Sequence, residues 1–308
     1  MHAPHTPRLG FAALLAGATG IAFAPIFVRV SETGPSATAF YRIAFALPLL
    51  WLWMRTERGN EPHLAQPVTR RDFALLALAG LFFAGDLAVW HWSIKLTSVA
   101  NSTLLANCAP IFVTLGARML FGERITTQFL LALVLALAGA AVLVGASFQL
   151  SARHLAGDAL GVATAVFYAA YMLSIKRLRE RFSTATIMTW TGLSCAPTLL
   201  VVAAVSREQL VATTAHGWIL LAGLALISQV GGQTLIAYGF KHLTASLASL
   251  SLLFQPVMAT LFAWMLLGEP LRPLQFIGGA VVLIAITLAS RASSKPVLAS
   301  LAPRARVS

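Results

Sequence analysis

Charge is what this sequence has least of. Only 10% of its 308 residues are Asp, Glu, Lys or Arg, while 58% are hydrophobic. A soluble domain carries about a quarter charged residues. So small a charged fraction cannot cover a water-facing surface, which excludes a soluble globular protein and requires lipid around most of the chain. Acids are scarcer still: 10 Asp and Glu stand against 22 Lys and Arg, a net charge of +12. In a soluble protein that excess suggests nucleic acid. Here the basic residues sit in short segments between apolar runs, where they orient a chain in a membrane, and no nucleic-acid partner is expected.

Other absences narrow the function. The two cysteines, Cys108 and Cys195, lie far apart inside apolar runs, which excludes a disulfide framework and reads as packing. No GxxxxGK[ST] phosphate loop is present, so the chain does not hydrolyse ATP by that route. HExxH and GxSxG are missing too, and the seven histidines show no metal spacing. No metal or other cofactor is expected, and the chain is not expected to be an enzyme. Of the histidines, His91 is the one placed to give a pH dependence.

What is there is a succession of apolar runs of spanning length. They predict helices at about 9–29, 36–54, 73–94, 99–119, 127–147, 157–175, 184–205, 216–238, 245–267 and 274–290. About 20 apolar residues cross a bilayer core, and only helices satisfy their own backbone in lipid over runs like these. The first run resembles a signal peptide, but Arg29 and Glu32 follow it instead of a small-residue cleavage site, so it reads as a retained helix. Loops numbered alternately from an inside N-terminus place sixteen basic residues inside and five outside, with Arg42 within a span. That asymmetry follows the positive-inside rule and predicts both termini on the cytoplasmic side.

The chain also repeats itself. Pro110–Glu123 (PIFVTLGARMLFGE) and Pro256–Glu269 (PVMATLFAWMLLGE) agree at eight of fourteen positions with an offset of 146. Lys95 and Lys241 share that offset, as do Trp92 and Tyr238. The halves are residues 1–148 and 149–308, the second ending in a short basic tail. Five helices per copy force the second copy to enter from the opposite side. Inverted repeats are an architecture of secondary transporters, with the substrate site near the midplane between them.

These features resemble the drug/metabolite transporter superfamily, specifically its ten-helix EamA family. The resemblance rests on the two Pro…Gly-Glu helices, on Arg42 in FYRIAFALP, and on SIKLTSVANSTLLANCAPIF leading into the fourth span. It implies an all-α membrane protein that moves small metabolites, often amino acids, by alternating access through a central cavity. Within the family the chain resembles bacterial exporters of aromatic and other amino acids, which implies the bacterial inner membrane.

Several residues are candidates for the site. Asp86 is the only carboxylate well inside a span, a costly placement that marks function by default. It either binds a substrate ammonium, accepts a proton, or pairs with Arg42. Trp90, one turn on, offers a ring to a cation or aromatic substrate, or is packing. Arg42 either holds a substrate carboxylate or serves structure. Thr103, Asn107, Pro110 and Thr114 share a face of the fourth helix; Ser249, Leu253, Pro256 and Thr260 are their mates in the ninth. Pro110 and Pro256 free a carbonyl mid-helix and are candidate hinges. Gln229 and Gln233 point one way from the eighth helix and read either as a polar cavity wall or as interhelical hydrogen bonding; Gln255 is similar, and Tyr168 and Tyr171 either wall the same cavity or form an interfacial belt. Glu123 and Glu269 each follow a Gly and read as helix-start acids. Gly157 and Gly161 form a close-packing GxxxG.

Transport of a small zwitterionic or aromatic metabolite is the leading reading, with a drug-like or lipid-linked substrate as the alternative within transport. An intramembrane enzyme needs catalytic groups clustered at one depth, and a scaffold needs an appended domain or a long tail.

Overall fold

A computed structural model describes residues 6–60, 66–97, 99–145, 152–268 and 271–300. It contains ten apolar helices long enough to cross a membrane: α1 Arg8–Arg29, α2 Pro35–Glu57, α3 Arg70–Trp90, α4 Ser102–Phe121, α5 Thr127–Val144, α6 His154–Leu178, α7 Thr184–Val205, α8 Ala215–His242, α9 Ala245–Leu266 and α10 Pro273–Ala292. They form two inverted five-helix repeats, α1–α5 and α6–α10. No strand occurs among the described residues.

The helices begin where the sequence supplies caps. Thr69 starts the α3 helix with a capping box closed by Asp72, and Thr126, Ser183, Thr214 and Thr244 each accept a backbone amide at a helix start. The Gly-Glu motifs have a backbone reason as well. Gly122 (φ 65°) and Gly268 (φ 67°) end their helices in the left-handed conformation, which costs glycine nothing.

Three spans are broken and a fourth is irregular: α4 and α9 are repeat mates, and α1 and α8 pack on each other. The α1 span breaks between segments Thr6–Ala22 and Ala24–Arg29, just before Pro25. The α4 span breaks between Val99–Ala106 and Ala109–Phe121, and α9 between Ala245–Ser251 and Phe254–Leu267. A proline ring clashes with the carbonyl four residues earlier, which puts the break before Pro110 and Pro256 rather than at them. The fourth irregularity is a π-helical stretch, Leu224–Gln233, inside α8. Its Ser228 hydroxyl donates to the Gly20 carbonyl of α1 (3.0 Å). By contrast Pro48 and Pro197 lie inside unbroken helices.

The strongest interhelical packing joins α5 to α10, α1 to α8, α3 to α6 and α2 to α7. Gly157 and Gly161 do bring α6 close, against the end of the α3 helix and the start of the α4 helix. There the Ser93 hydroxyl donates to the Gly157 carbonyl (2.7 Å).

At one end of the bundle the loops exchange caps. Glu32, after α1, accepts from the Thr213 amide (2.7 Å) and hydroxyl (2.8 Å) and the Thr214 amide (3.0 Å), and also from the Thr214 hydroxyl. Glu208, after α7, accepts from the Ala37 amide at the start of α2 (3.0 Å). The hydrogen bond from Thr214, followed by that from Thr213, lowers the Glu32 carboxyl from 4.5 to about 2. A depressed carboxyl contributes stability that is complete above its unfolded value and lost as pH falls through the folded one. The thermal-stability gap between wild type and Glu32→Gln should therefore hold steady from about pH 7 to 5 and shrink below about pH 4.5. A gap unchanged at about pH 3 contradicts this account of Glu32.

Candidate functional site

The candidate site is a chain of polar and aromatic contacts that crosses the seam between the halves. Arg42 of α2 is buried. Its Nε donates to Gln229 Oε1 on the π stretch of α8 (3.0 Å), and its guanidinium stands over the Phe83 ring of α3, 5.8 Å from the centroid. Phe83 stacks on Tyr171 of α6 (centroids 4.5 Å apart), which faces Tyr168 at 6.5 Å. The Tyr171 hydroxyl accepts from Gln233 Nε2 (3.2 Å). The two glutamines are thus committed to protein partners: one orients the arginine, the other the tyrosine.

Asp86 sits one turn from Phe83 on α3 and is half-buried. It accepts no hydrogen bond from any described residue, and no described ion pair joins it to Arg42. It lies within electrostatic reach of both Arg42 and Tyr168. An ion pair between the two intramembrane charges, one of the expected alternatives, is therefore not formed. Trp90 lies half-buried on the next turn.

Tyr168 also lines a small cavity where the breaks of α4 and α9 meet α6. Its walls include Asn107, Pro110, Met172, Ser249 and Gln255, and its volume is about 20 Å³, enough for one water. Two buried amide donors here, Asn107 Nδ2 and Gln255 Nε2, have no hydrogen-bond partner. The Gln255 amide approaches the Tyr168 oxygen without normal hydrogen-bond geometry. A buried unpaired donor costs about 1–3 kcal/mol, so these two groups are held ready for an acceptor.

The outer parts of the two expected polar stripes are spent locally. The Thr114 hydroxyl donates to the Pro110 carbonyl (2.6 Å), and its mate Thr260 does the same to Pro256 (2.9 Å). Both are hydroxyl bonds to the carbonyl one turn back within the same helix. Thr103 is half-buried one turn before Asn107 and does not line the cavity. The side chains of His91 and Lys95, and Glu269 altogether, lie outside the described residues. The interhelical hydrogen bonding open to Gln229 and Gln233 is formed; the sequence reading missed Phe83 and the break in α1. Of these, only Pro25 gave a local signal.

Comparison with known proteins decides what kind of molecule this is. The profile of the EamA-like transporter family matches residues 8–145 and again 155–291. The chain belongs to the EamA-like transporter family. It is a multi-pass membrane transporter, similar over 280 residues to the pseudopaline exporter CntI of Pseudomonas aeruginosa PAO1 (25% identity, 91% of this chain and 94% of the relative). A probable terminal-alkyne amino-acid exporter of Streptantibioticus cattleyicolor is 26% identical over 72% of this chain and 74% of its own length. An uncharacterized transporter of Archaeoglobus fulgidus is 27% identical over 92% and 97%. A solved crystal structure shares the fold with a TM-score of 0.77 at 19% identity, covering 96% of this chain and 99% of its own.

Proposed function

We propose that this transporter exports zwitterionic amino acids or their close derivatives, by alternating access through the seam between its halves. The membrane is the bacterial inner membrane, with both termini cytoplasmic, as the distribution of Lys and Arg supports. The observation that carries the reading is the pairing of an unpartnered carboxylate, Asp86, with two unpartnered amide donors, Asn107 and Gln255, around Tyr168. A carboxylate in mid-span attracts an ammonium. Two N–H donors in a water-poor cavity suit a carboxylate. Stacked Phe83, Tyr171 and Tyr168 give the side chain of the substrate an aromatic wall. One relative is named a probable terminal-alkyne amino-acid exporter, in keeping with substrates of this kind.

Room for one water is not room for an amino acid, so binding requires α4 and α9 to part at their breaks. Pro110 and Pro256 are the hinges in this reading. The test is a ligand series: a labelled aromatic amino acid, its decarboxylated amine and its N-acetyl derivative, each assayed in proteoliposomes. Wild type should prefer the amino acid over both. Asn107→Leu with Gln255→Leu should lower amino-acid transport about tenfold, the loss of roughly one hydrogen bond to a charged group, and leave the amine little changed. Equal transport of all three compounds contradicts the proposal.

A further inference from the structure

The ties between the halves differ at the two ends of the bundle. The first two helices of each half are tied at both ends. At one end Glu32 and Glu208 join the α1–α2 loop to the α7–α8 loop. At the other, Arg181 of the α6–α7 turn binds Asp72 at the start of α3 (3.0 Å). The inverted repeat maps one of these ties onto the other, and both are made at once. The two are not mutually exclusive.

The α4 and α9 spans behave differently. The start of α9, Ala245–Ser251, packs on the end of α4, Ala109–Phe121; the mirror pair, Val99–Ala106 with Phe254–Leu267, makes no comparable packing. The closed contact carries a charge. Glu123, just past α4, accepts from the Ala245 amide (2.6 Å), the Ser246 amide (3.2 Å) and the Ser246 hydroxyl (2.6 Å). It lies 122 residues away from Ala245 in sequence, in the other half. Beside it, Lys176 Nζ donates to the carbonyls of Phe240 (2.9 Å) and Leu243 (2.5 Å) at the end of α8, and feels the Glu123 charge. The turn from α8 to α9 is thus gripped by an anion at the amide end of one helix and a cation at the carbonyl end of the other, each the sign the helix dipole favours.

We propose that Glu123 is a gating residue of the transport cycle: its carboxylate latches the start of α9 to the end of α4, shuts that end of the bundle, and lets go when the site faces that side. Glu123 is half-buried at the end of its helix. Water can therefore replace each of its hydrogen bonds when the latch opens, which makes the latch reversible. Glu123 does not serve the helix that follows it, because Thr126 already caps α5 by accepting from the Phe129 amide (3.1 Å). This proposal rests on alternating access, but its test needs no substrate and so is independent of the amino-acid reading.

The test uses Cys108 as reporter, half-buried at the α4 break, in a Cys195→Ser background. A membrane-impermeant maleimide is applied separately to each face of oriented proteoliposomes. Glu123→Ala should raise labelling from the face bearing residue 123 by about tenfold and slow it from the other, since removing charge-assisted hydrogen bonds made in one state only shifts the equilibrium by that order. Glu123→Asp should restore part of the bias. Thermal stability that falls while labelling from both faces stays unchanged means a plain helix cap, and overturns the proposal. If Glu123→Ala fails to fold, Ser246→Ala, which removes only the hydroxyl bond to Glu123, should shift labelling in the same direction by a smaller factor; labelling from both faces unchanged in that variant overturns the latch.

Discussion

Asp86→Asn should cut transport by about ten- to a hundredfold while the protein still folds, the range expected when a charge-assisted hydrogen bond to a substrate is lost. The substitution keeps the shape of the side chain and removes only its charge. Asp86 has no hydrogen bond from a described residue and no ion pair with Arg42, so no described partner is orphaned by the change. A carboxylate within a membrane span is costly. Asn at this position should therefore leave stability unchanged or slightly raised. The two readouts separate cleanly: flux of labelled amino acid falls, and the melting temperature in detergent does not. Wild-type flux at wild-type expression removes Asp86 from the mechanism.

Gly80→Val is expected to do the reverse, abolishing folded protein with no direct effect on the site. Gly80 lies where α3 crosses α7. A Cβ at this position would fall inside the van der Waals envelope of the Thr191 carbonyl and the Ser194 hydroxyl. That hydroxyl is already engaged, donating to the Ala77 carbonyl of α3 (3.1 Å) and to Thr191 (3.0 Å). Nothing in the contact is the free end of a flexible chain, so the helices themselves must separate. Overpacking of a core costs about 1–3 kcal/mol, and occasionally more; with a helix carbonyl in the way the upper end applies. The measurement is monodisperse yield and thermal unfolding. A variant that purifies normally and melts within about 2 °C of wild type contradicts the packing described here.

The span count was legible because each helix must solve its own backbone problem in lipid, which leaves a run of apolar residues that length alone reveals. The repeat was legible because Pro, Gly-Glu and Lys are rare enough in such runs for their recurrence to mean something. The roles of individual site residues were much less legible. From their spacing Gln229 and Gln233 could either wall a cavity or bond another helix; each is occupied by a partner on another helix, Arg42 being 187 residues away. Spacing along one helix says which residues share a face and nothing about what that face meets. Glu123 shows the same limit. Its local context suggested a helix-start acid, which is right in kind, but the helix it serves is α9. The π stretch of α8 left no signal in the sequence, since it reflects the fit of that helix against α1.

The most direct test of the whole account is flux in liposomes containing only this protein, with a panel of labelled amino acids, with and without a pH gradient. Saturable movement of one or more zwitterionic amino acids, abolished by Asp86→Asn, is the result predicted. Correctly folded protein that moves none of them, or moves them equally well with Asp86→Asn, contradicts it.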